Sequence, residues 1–99
     1  MPLQIRYSQR AKSEYKELLT YIILNFGIQK AIEIDAVFEK LIRQISENPK
    51  MYSLFDKHKN IRKCVISKQT SLYYRISGKY IELVSFRGNL MNSVNTNLE

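Results

Sequence analysis

The sequence predicts an α+β domain of two layers, in which a hairpin of two helices packs on one face of an antiparallel sheet. Three patterns predict this arrangement. A short alternating segment opens the chain, two stretches of helical periodicity follow and meet at Gly27, and three β-rich runs occupy residues 61–87. The predicted order of elements is therefore β-α-α-β-β-β.

The chain has 99 residues, which fits one domain with one modest core. Its hydrophobic fraction of 44% and charged fraction of 25% are typical of a soluble globular protein. We expect a single domain over residues 1–99, with residues 88–99 as a flexible tail because they show no period and contain four Asn. Leu98 and Glu99 resemble the start of a tag linker and are left out of this argument.

The first segment predicts a strand followed directly by a helix. Leu3, Ile5 and Tyr7 alternate with polar residues, so one strand face is expected to be buried. Ser8 is the expected cap of the helix, since its hydroxyl can accept from an amide of the first turn. The apolar stripe of this helix comprises Ala11, Tyr15, Leu18, Leu19, Ile22, Ile23 and Phe26. Gly27 is expected to end the helix as a left-handed residue.

A second helix begins within one or two residues, which predicts an antiparallel helical hairpin. Its stripe, interrupted by Asp35, comprises Ile28, Ala31, Ile32, Phe38, Leu41, Ile42 and Ile45. Ile34 and Val37 widen this stripe, which either faces two packed surfaces or leaves a patch for another chain. The helix is expected to stop at Asn48, because the residue before Pro49 is disfavoured in helical conformation.

Residues 50–60 show no period and predict a loop. Its apolar residues are expected to pin it to the core, namely Met51, Tyr52, Leu54 and Phe55. Its polar residues are expected to project, namely Lys57, His58 and Lys59. Hairpin turns are predicted at residues 67–70 and 77–79, with Gly78 at positive φ. Residues 80–86 are apolar on both faces, which is typical of a central strand, and the first strand joins an edge or a middle position.

Positive charge is concentrated in the strand half of the chain. Residues 50–87 hold nine Lys or Arg against Asp56 and Glu82, a net charge of +7. With a sequence pI near 9.6, this predicts an anionic partner, which can be nucleic acid, an assembly that carries nucleic acid or an acidic protein segment. The alternative is a solvated basic face that only aids solubility.

Basic and aromatic strand residues are the candidate binding groups. Arg62, Arg75 and Arg87 can hold phosphate or carboxylate groups by paired hydrogen bonds, or they can be solvated. Tyr74 shares the parity of Leu72 and belongs to the core. Tyr73 has the opposite parity and is the surface candidate for stacking on bases.

The remaining polar candidates have a simpler interpretation. The single histidine, His58, is best interpreted as an exposed imidazole, with general acid–base catalysis as the alternative. Glu82 is expected to pair with a cross-strand Lys or Arg. Cys64, the single cysteine, is expected to be a buried thiol. We expect no metal and no cofactor, because neither metal-ligand spacing nor a phosphate-binding glycine loop occurs. With no signal peptide or membrane-length apolar run, we expect a cytoplasmic protein and no membrane partner.

Several of these features occur together in a known family. The motif S-x-x-A-x-x-E-x-x-x-L-x-x-Y-I begins at Ser8, F-G follows it, N-P ends the second helix, and the strands read RKCVISKQTSLYYRI and IELVSF. In this order the residues from 3 to about 89 resemble the RelE/ParE toxin superfamily, and most closely the ParE-like toxins of type II toxin–antitoxin modules. The resemblance implies a bacterial growth-inhibiting toxin and a cognate antitoxin.

The resemblance also implies how the partner binds. Such an antitoxin lays an extended, partly disordered segment across the toxin's helices and sheet. The residues expected to contact it are Ile34, Val37, Leu41 and Arg62. A toxin–antitoxin hetero-oligomer is implied, and a homodimer through the second helix is the alternative.

Two mechanisms occur in the superfamily. RelE-like members cut mRNA in the ribosome with clustered Lys and Arg and often a Tyr or His. For this the candidates are Lys63, Arg75, Arg87 and His58, but Thr70 occupies the position expected for a catalytic Arg. ParE-like members inhibit DNA gyrase without a chemical step. We therefore predict a ParE-like toxin whose target-binding residues are Lys57, Lys59, Arg62, Lys63, Tyr73, Arg75 and Arg87. The alternatives are a ribosome-dependent endoribonuclease and a non-toxic antitoxin-binding module.

Overall fold

The computed structural model describes residues 2–68 and 70–88. Its elements are β1 (Gln4–Tyr7), α1 (Gln9–Phe26), α2 (Ile28–Glu47), β2 (Leu54–Asp56), β3 (Ile61–Ser67), β4 (Thr70–Ser77) and β5 (Tyr80–Gly88). Gly88, predicted to belong to a tail, ends β5. The rest of the predicted tail, including Leu98 and Glu99, lies outside the described residues.

The described strands form one five-stranded sheet in the order β1-β5-β4-β3-β2. β1 runs parallel to β5, and the other neighbouring strands are antiparallel. The chain returns from β1 to the sheet through the helical hairpin, so β1 takes an edge, one of the two positions that the sequence allowed. The predicted two-layer α+β fold is confirmed, with a mixed sheet of one strand more than expected.

Ser8 caps the start of α1 as predicted, whereas Gly27 at its end has a different backbone conformation from the predicted one. The Ser8 side chain accepts a hydrogen bond of 2.9 Å from the backbone amide of Ala11. Gly27 alone separates α1 from α2, which confirms the short link. However, its φ of 93° and ψ of 161° do not correspond to the left-handed helical region. This part of the backbone map is accessible essentially only to glycine, so the turn depends on that residue type.

The buried stripe of α2 differs from the predicted one. Its buried residues are Ala31, Ile34, Phe38 and Ile45. Ile34, expected to widen the stripe, is only 3% exposed, whereas Ile28 and Ile32 are 65% and 56% exposed. The predicted burial of the latter two, at the linked end of the hairpin, is wrong because they lie about 120° and 160° around α2 from Ile34, away from its buried side. Large exposed side chains therefore gather there, namely Ile23, Leu24, Phe26, Ile28 and Ile32.

The core between helices and sheet is built around three aromatic rings. The ring of Tyr15 lies 4.7 Å, between centroids, from those of both Phe38 and Phe86, so this group joins α1, α2 and β5. The Tyr15 hydroxyl donates a hydrogen bond of 2.6 Å to Asp35 on α2. Burial, with this carboxylate beside it, raises the pKa of Tyr15. The predicted core residue Tyr74 is fully buried, and its hydroxyl donates to the carbonyl of Pro49.

The segment 50–60 contains a strand that the sequence did not predict. β2 has three residues, of which Leu54 and Asp56 pair with β3 across a register shift, so no period could develop. Tyr52 packs against the core as expected. The prediction for the other three apolar residues is wrong, since Met51, Leu54 and Phe55 are 41%, 39% and 48% exposed. Leu54 and Phe55 lie on β2, an edge strand of the sheet, and Met51 precedes it, so few neighbours cover these side chains.

Other local predictions can be checked directly. Gly78 has a φ of 61° in the β4–β5 turn, as predicted. Cys64 is a free, buried thiol, also as predicted, and burial raises its pKa although the Tyr52 hydroxyl counteracts the shift. Burial raises the pKa of Tyr52 itself to about 12. Tyr7 is 39% exposed rather than buried, because β1 lies at the sheet edge.

Candidate functional site

The face of the sheet opposite the helices carries most of the predicted binding groups. Cys64, Leu72 and Phe86 point into the helix-side core, so their strand neighbours point to the other side. We call that side the outer face. Among the described strand residues, the charged ones on this face are Arg6, Lys63, Arg75, Glu82 and Arg87. Four cations against one carboxylate make this face basic, as the distribution of charge predicted.

Arg75 and Glu82 form an ion pair across β4 and β5. The Arg75 Nε donates to Glu82 Oε1 at 2.8 Å, with both side chains about one-third exposed. This confirms the cross-strand partner expected for Glu82. The charge of Arg75, which the sequence offered as an anion-binding or a solvated residue, is therefore largely neutralised by Glu82.

The other basic residue beside Glu82 is Arg6 on β1, whose guanidinium lies 4.2 Å from the ring centre of Tyr80.

Lys63 lies beside two aromatic rings at the middle of the outer face. Its Nζ is 5.7 Å from the ring centre of Phe55 and 5.9 Å from that of Tyr73. The two rings meet edge to face at 5.0 Å. Tyr73 is only 6% exposed and packs with Ile61 and Val84, so its predicted role as a surface stacking residue is wrong. Phe55, which the sequence assigned to the core, is the exposed aromatic residue here.

Arg62 points to the helix side of β3, together with its cross-strand partner Tyr74. Its Nη1 donates a hydrogen bond of 2.6 Å to the carbonyl of Tyr52, and its Nε is buried without a hydrogen-bond partner. Arg62 therefore holds the segment before β2 against the sheet. It does not lie with the predicted anion-binding residues, because alternation along β3 sends it to the opposite face.

The turn between β2 and β3 is exposed and presents Lys57, His58 and Lys59. The Asp56 carboxylate holds this turn by accepting from the amides of His58 and Lys59 at 3.0 and 3.2 Å. Their projection from the domain is as predicted, and the turn lies at the beginning of β3.

Arg87 lies at the other end of the sheet. It is paired with Ser71, which is itself paired with Val65, four residues along β3 from Ile61. The offset between Ile61 and Arg87 is about 13 Å along the strands and about 10 Å across them. His58 precedes Ile61 and is farther away still. The fold therefore does not assemble His58 with Arg87 at one point.

Within residues 2–68 and 70–88, no group of three His, Cys, Asp or Glu side chains is placed to hold a metal ion. None of the described helices is long and apolar enough to cross a membrane.

Comparison with known proteins decides the family. The family model for the ParE toxin of the type II toxin–antitoxin system parDE matches residues 5–91. The chain belongs to the ParE toxin family. This confirms the resemblance to the RelE/ParE superfamily, and the chain is a type II toxin–antitoxin toxin by family. No curated protein matches the chain.

Solved structures support the same fold at low sequence identity. A chain of the chromosomal ParDE system from P. aeruginosa is 11% identical, with a TM-score of 0.72 over 87% of this chain and 95% of that chain. A chain of the RelBE2 toxin–antitoxin complex from Mycobacterium tuberculosis is 15% identical, with a TM-score of 0.62 over 89% of this chain and 99% of that chain. A chain of the YoeB dimer from Staphylococcus aureus is 17% identical, with a TM-score of 0.62 over 88% of this chain and 97% of that chain. At these identities the likeness is one of fold.

Three residues of the sheet bear on the mechanisms of this superfamily. Thr70, which stands where a catalytic arginine is expected in RelE-like members, begins β4 and is fully buried. Its Oγ1 has no hydrogen-bond partner and is shielded from water, so it is not positioned to contact a substrate. Lys63 and Arg87 do share the outer face, one strand apart from each other on either side of β4.

The residues predicted to contact an antitoxin are separated by their burial. Val37 is 44% exposed and Leu41 is partly buried against the core. Ile34 lies in the core and so shares no exposed surface with Val37, and Arg62 donates a hydrogen bond to the Tyr52 carbonyl. The larger apolar surface of this ParE-family chain is the linked end of the hairpin, which the sequence analysis assigned mostly to the core.

Proposed function

We propose that the chain is a ParE-like toxin that inhibits DNA gyrase by binding it, with no bond-breaking step of its own. The observation that carries the proposal is the separation of His58 from Arg87. A nuclease needs a proton-transfer group within hydrogen-bond reach of the group that it serves. In the described chain the histidine and the basic residue lie at opposite ends of the sheet.

The outer face is the proposed target-binding surface. Lys63 and Arg87 supply its positive charge, and the exposed ring of Phe55 supplies an apolar contact beside Lys63. Arg75 contributes less because Glu82 already compensates it. Lys57 and Lys59 extend the charged surface at the edge next to β2. Such a surface favours an acidic protein segment, since complementary charge speeds and orients association.

A cognate antitoxin is the proposed second partner. Support comes from the family and from the RelBE2 neighbour, which was solved as a toxin–antitoxin complex. The linked end of the helical hairpin exposes several large apolar side chains, and clustered exposure of this kind marks protein contact sites. We propose that the antitoxin covers this surface, giving a toxin–antitoxin hetero-oligomer. We further propose that both proteins act in the bacterial cytoplasm.

The direct test is inhibition by the purified chain in two assays run side by side. One measures supercoiling of relaxed plasmid by gyrase, and the other measures cleavage of an mRNA on programmed ribosomes. We expect loss of supercoiling in the first and intact mRNA in the second. Cleavage at fixed codon positions would instead support the endoribonuclease, and inactivity in both assays would support a non-toxic antitoxin-binding module.

A further inference from the structure

β5 is longer than β1, the edge strand that pairs with it. It runs for nine residues, but β1 pairs only with Tyr80–Leu83 before the chain leaves the sheet at Tyr7. Beyond Leu83, the backbone groups of β5 on that side need other partners, because an unpaired buried amide or carbonyl is costly. This stretch leads directly to Arg87.

The first two turns of α1 supply those partners. The Ser8 amide donates to the carbonyl of Leu83 at 3.1 Å, and the Ser8 hydroxyl donates to that of Val84 at 2.9 Å. Glu14 continues the series, since its Oε1 accepts from the Ser85 hydroxyl at 2.7 Å and from the Phe86 amide at 3.2 Å. Ala11, between them, is fully buried.

The contact lies at an irregular point of the strand. Tyr73 pairs with Ser85 but Tyr74 pairs with Leu83, so Val84 is an extra residue that forms a β-bulge. A bulge bends its strand and re-aims the side chains that follow it. Glu14 binds the two residues directly after the extra one. A carboxylate also makes a stronger hydrogen bond to a backbone amide than a neutral acceptor does.

Glu14 is itself held in place. The Arg10 Nε, one turn earlier on α1, donates to the other carboxylate oxygen, Oε2, at 3.1 Å. The Glu14 side chain is 23% exposed, which leaves the contact with β5 partly shielded from water. Both carboxylate oxygens are therefore engaged, one by α1 and one by β5.

We propose that Glu14 is a positioning residue that fixes the bulge of β5 and thereby directs Arg87 onto the outer face. Holding the Phe86 amide fixes the residue before Arg87 and keeps the Phe86 ring in the core, so that the next side chain emerges opposite it. The inference rests on the proposed function in one respect, since Arg87 is taken there as a target-binding residue. It gives the S-x-x-A-x-x-E motif a physical role.

The test measures the position of Arg87 in the isolated protein. The ¹⁵N–¹H signal of Arg87 Nε and the hydrogen exchange of the Phe86 amide are compared in the parent, Glu14→Ala and Glu14→Gln. We expect Glu14→Ala to move or broaden the Arg87 signal and to speed Phe86 exchange at least about tenfold. Glu14→Gln keeps an acceptor oxygen and should restore both. Unchanged Arg87 and Phe86 signals in folded Glu14→Ala would overturn the inference.

A matched control and a double-mutant cycle complete the test. Arg10→Ala removes the ion pair but leaves the contact between Glu14 and β5, so the Arg87 signal should stay near its parent position. Glu14→Ala should lower the potency of gyrase inhibition about tenfold when Arg87 is present. In an Arg87→Ala background the same substitution should lower it less than about twofold. Equal losses in both backgrounds would contradict positioning. An inactive parent would refute the proposed function, while the Arg87 signal would still decide the inference.

Discussion

Phe38→Ala is expected to lower the free energy of unfolding by about 3–5 kcal/mol, the range for removing a buried aromatic side chain. Phe38 is 1% exposed, and its ring contacts those of Tyr15 and Phe86 at centroid distances of 4.7 and 5.2 Å. Truncation leaves a cavity at the point where α1, α2 and β5 meet. Urea unfolding followed by circular dichroism measures the loss.

Phe26→Ala is the matched control for this variant. It removes the same atoms from a residue that is 45% exposed at the end of α1, where its nearest described aromatic neighbour is Tyr21 at 6.3 Å. This variant should lower the free energy of unfolding by only about 1 kcal/mol, since less apolar area returns to water and little cavity forms. Similar losses for the two variants would contradict the assignment of Phe38 to the core.

Reversing the charge of both Lys63 and Arg87 is expected to weaken gyrase inhibition at least about 100-fold, because each change turns an attraction into a repulsion at the proposed contact. The two residues stand on the strands either side of β4 and face the same way. The variant Lys63→Glu with Arg87→Glu should remain folded, since neither side chain belongs to the core. Titration of the variant against plasmid supercoiling by gyrase gives the loss.

A charge-matched control separates a specific contact from general electrostatics. Lys12→Glu with Lys40→Glu changes the net charge by the same amount on exposed positions of the two helices. We expect this control to stay within about threefold of the parent, as weakly coupled surface charges contribute little. Comparable losses in the two variants would mean that net charge, and not the outer face, governs inhibition.

Local patterns predicted the elements of this fold well. Ser8, Gly27 and Pro49 delimit the helices because capping, positive φ and the restriction that proline places on the residue before it are properties of single residues. The assignment of faces was less secure. Ile28 and Ile34 both fit a wide helical stripe, and only the side of α2 that packs against the rest of the domain decides which of them is buried.

The sequence predicted the positive charge of the candidate site, but it did not predict which aromatic side chains lie beside the charged residues. Tyr73 has surface parity, but packing between Ile61, Val84 and Phe55 buries it, and that contact is not visible in a single strand. Phe55 was missed because β2 is too short to show a period. Glu14 was missed as a binding group, although its spacing from Ser8 and Ala11 places it on the buried side of α1.

The most direct test of the central claim is induced expression of the chain in a bacterial host. DNA breaks, plasmid topology and mRNA integrity are followed through any arrest of growth. We expect arrest with gyrase-linked DNA damage, altered plasmid topology and intact mRNA. Arrest with mRNA cut at fixed codon positions, or the absence of any arrest, would contradict it.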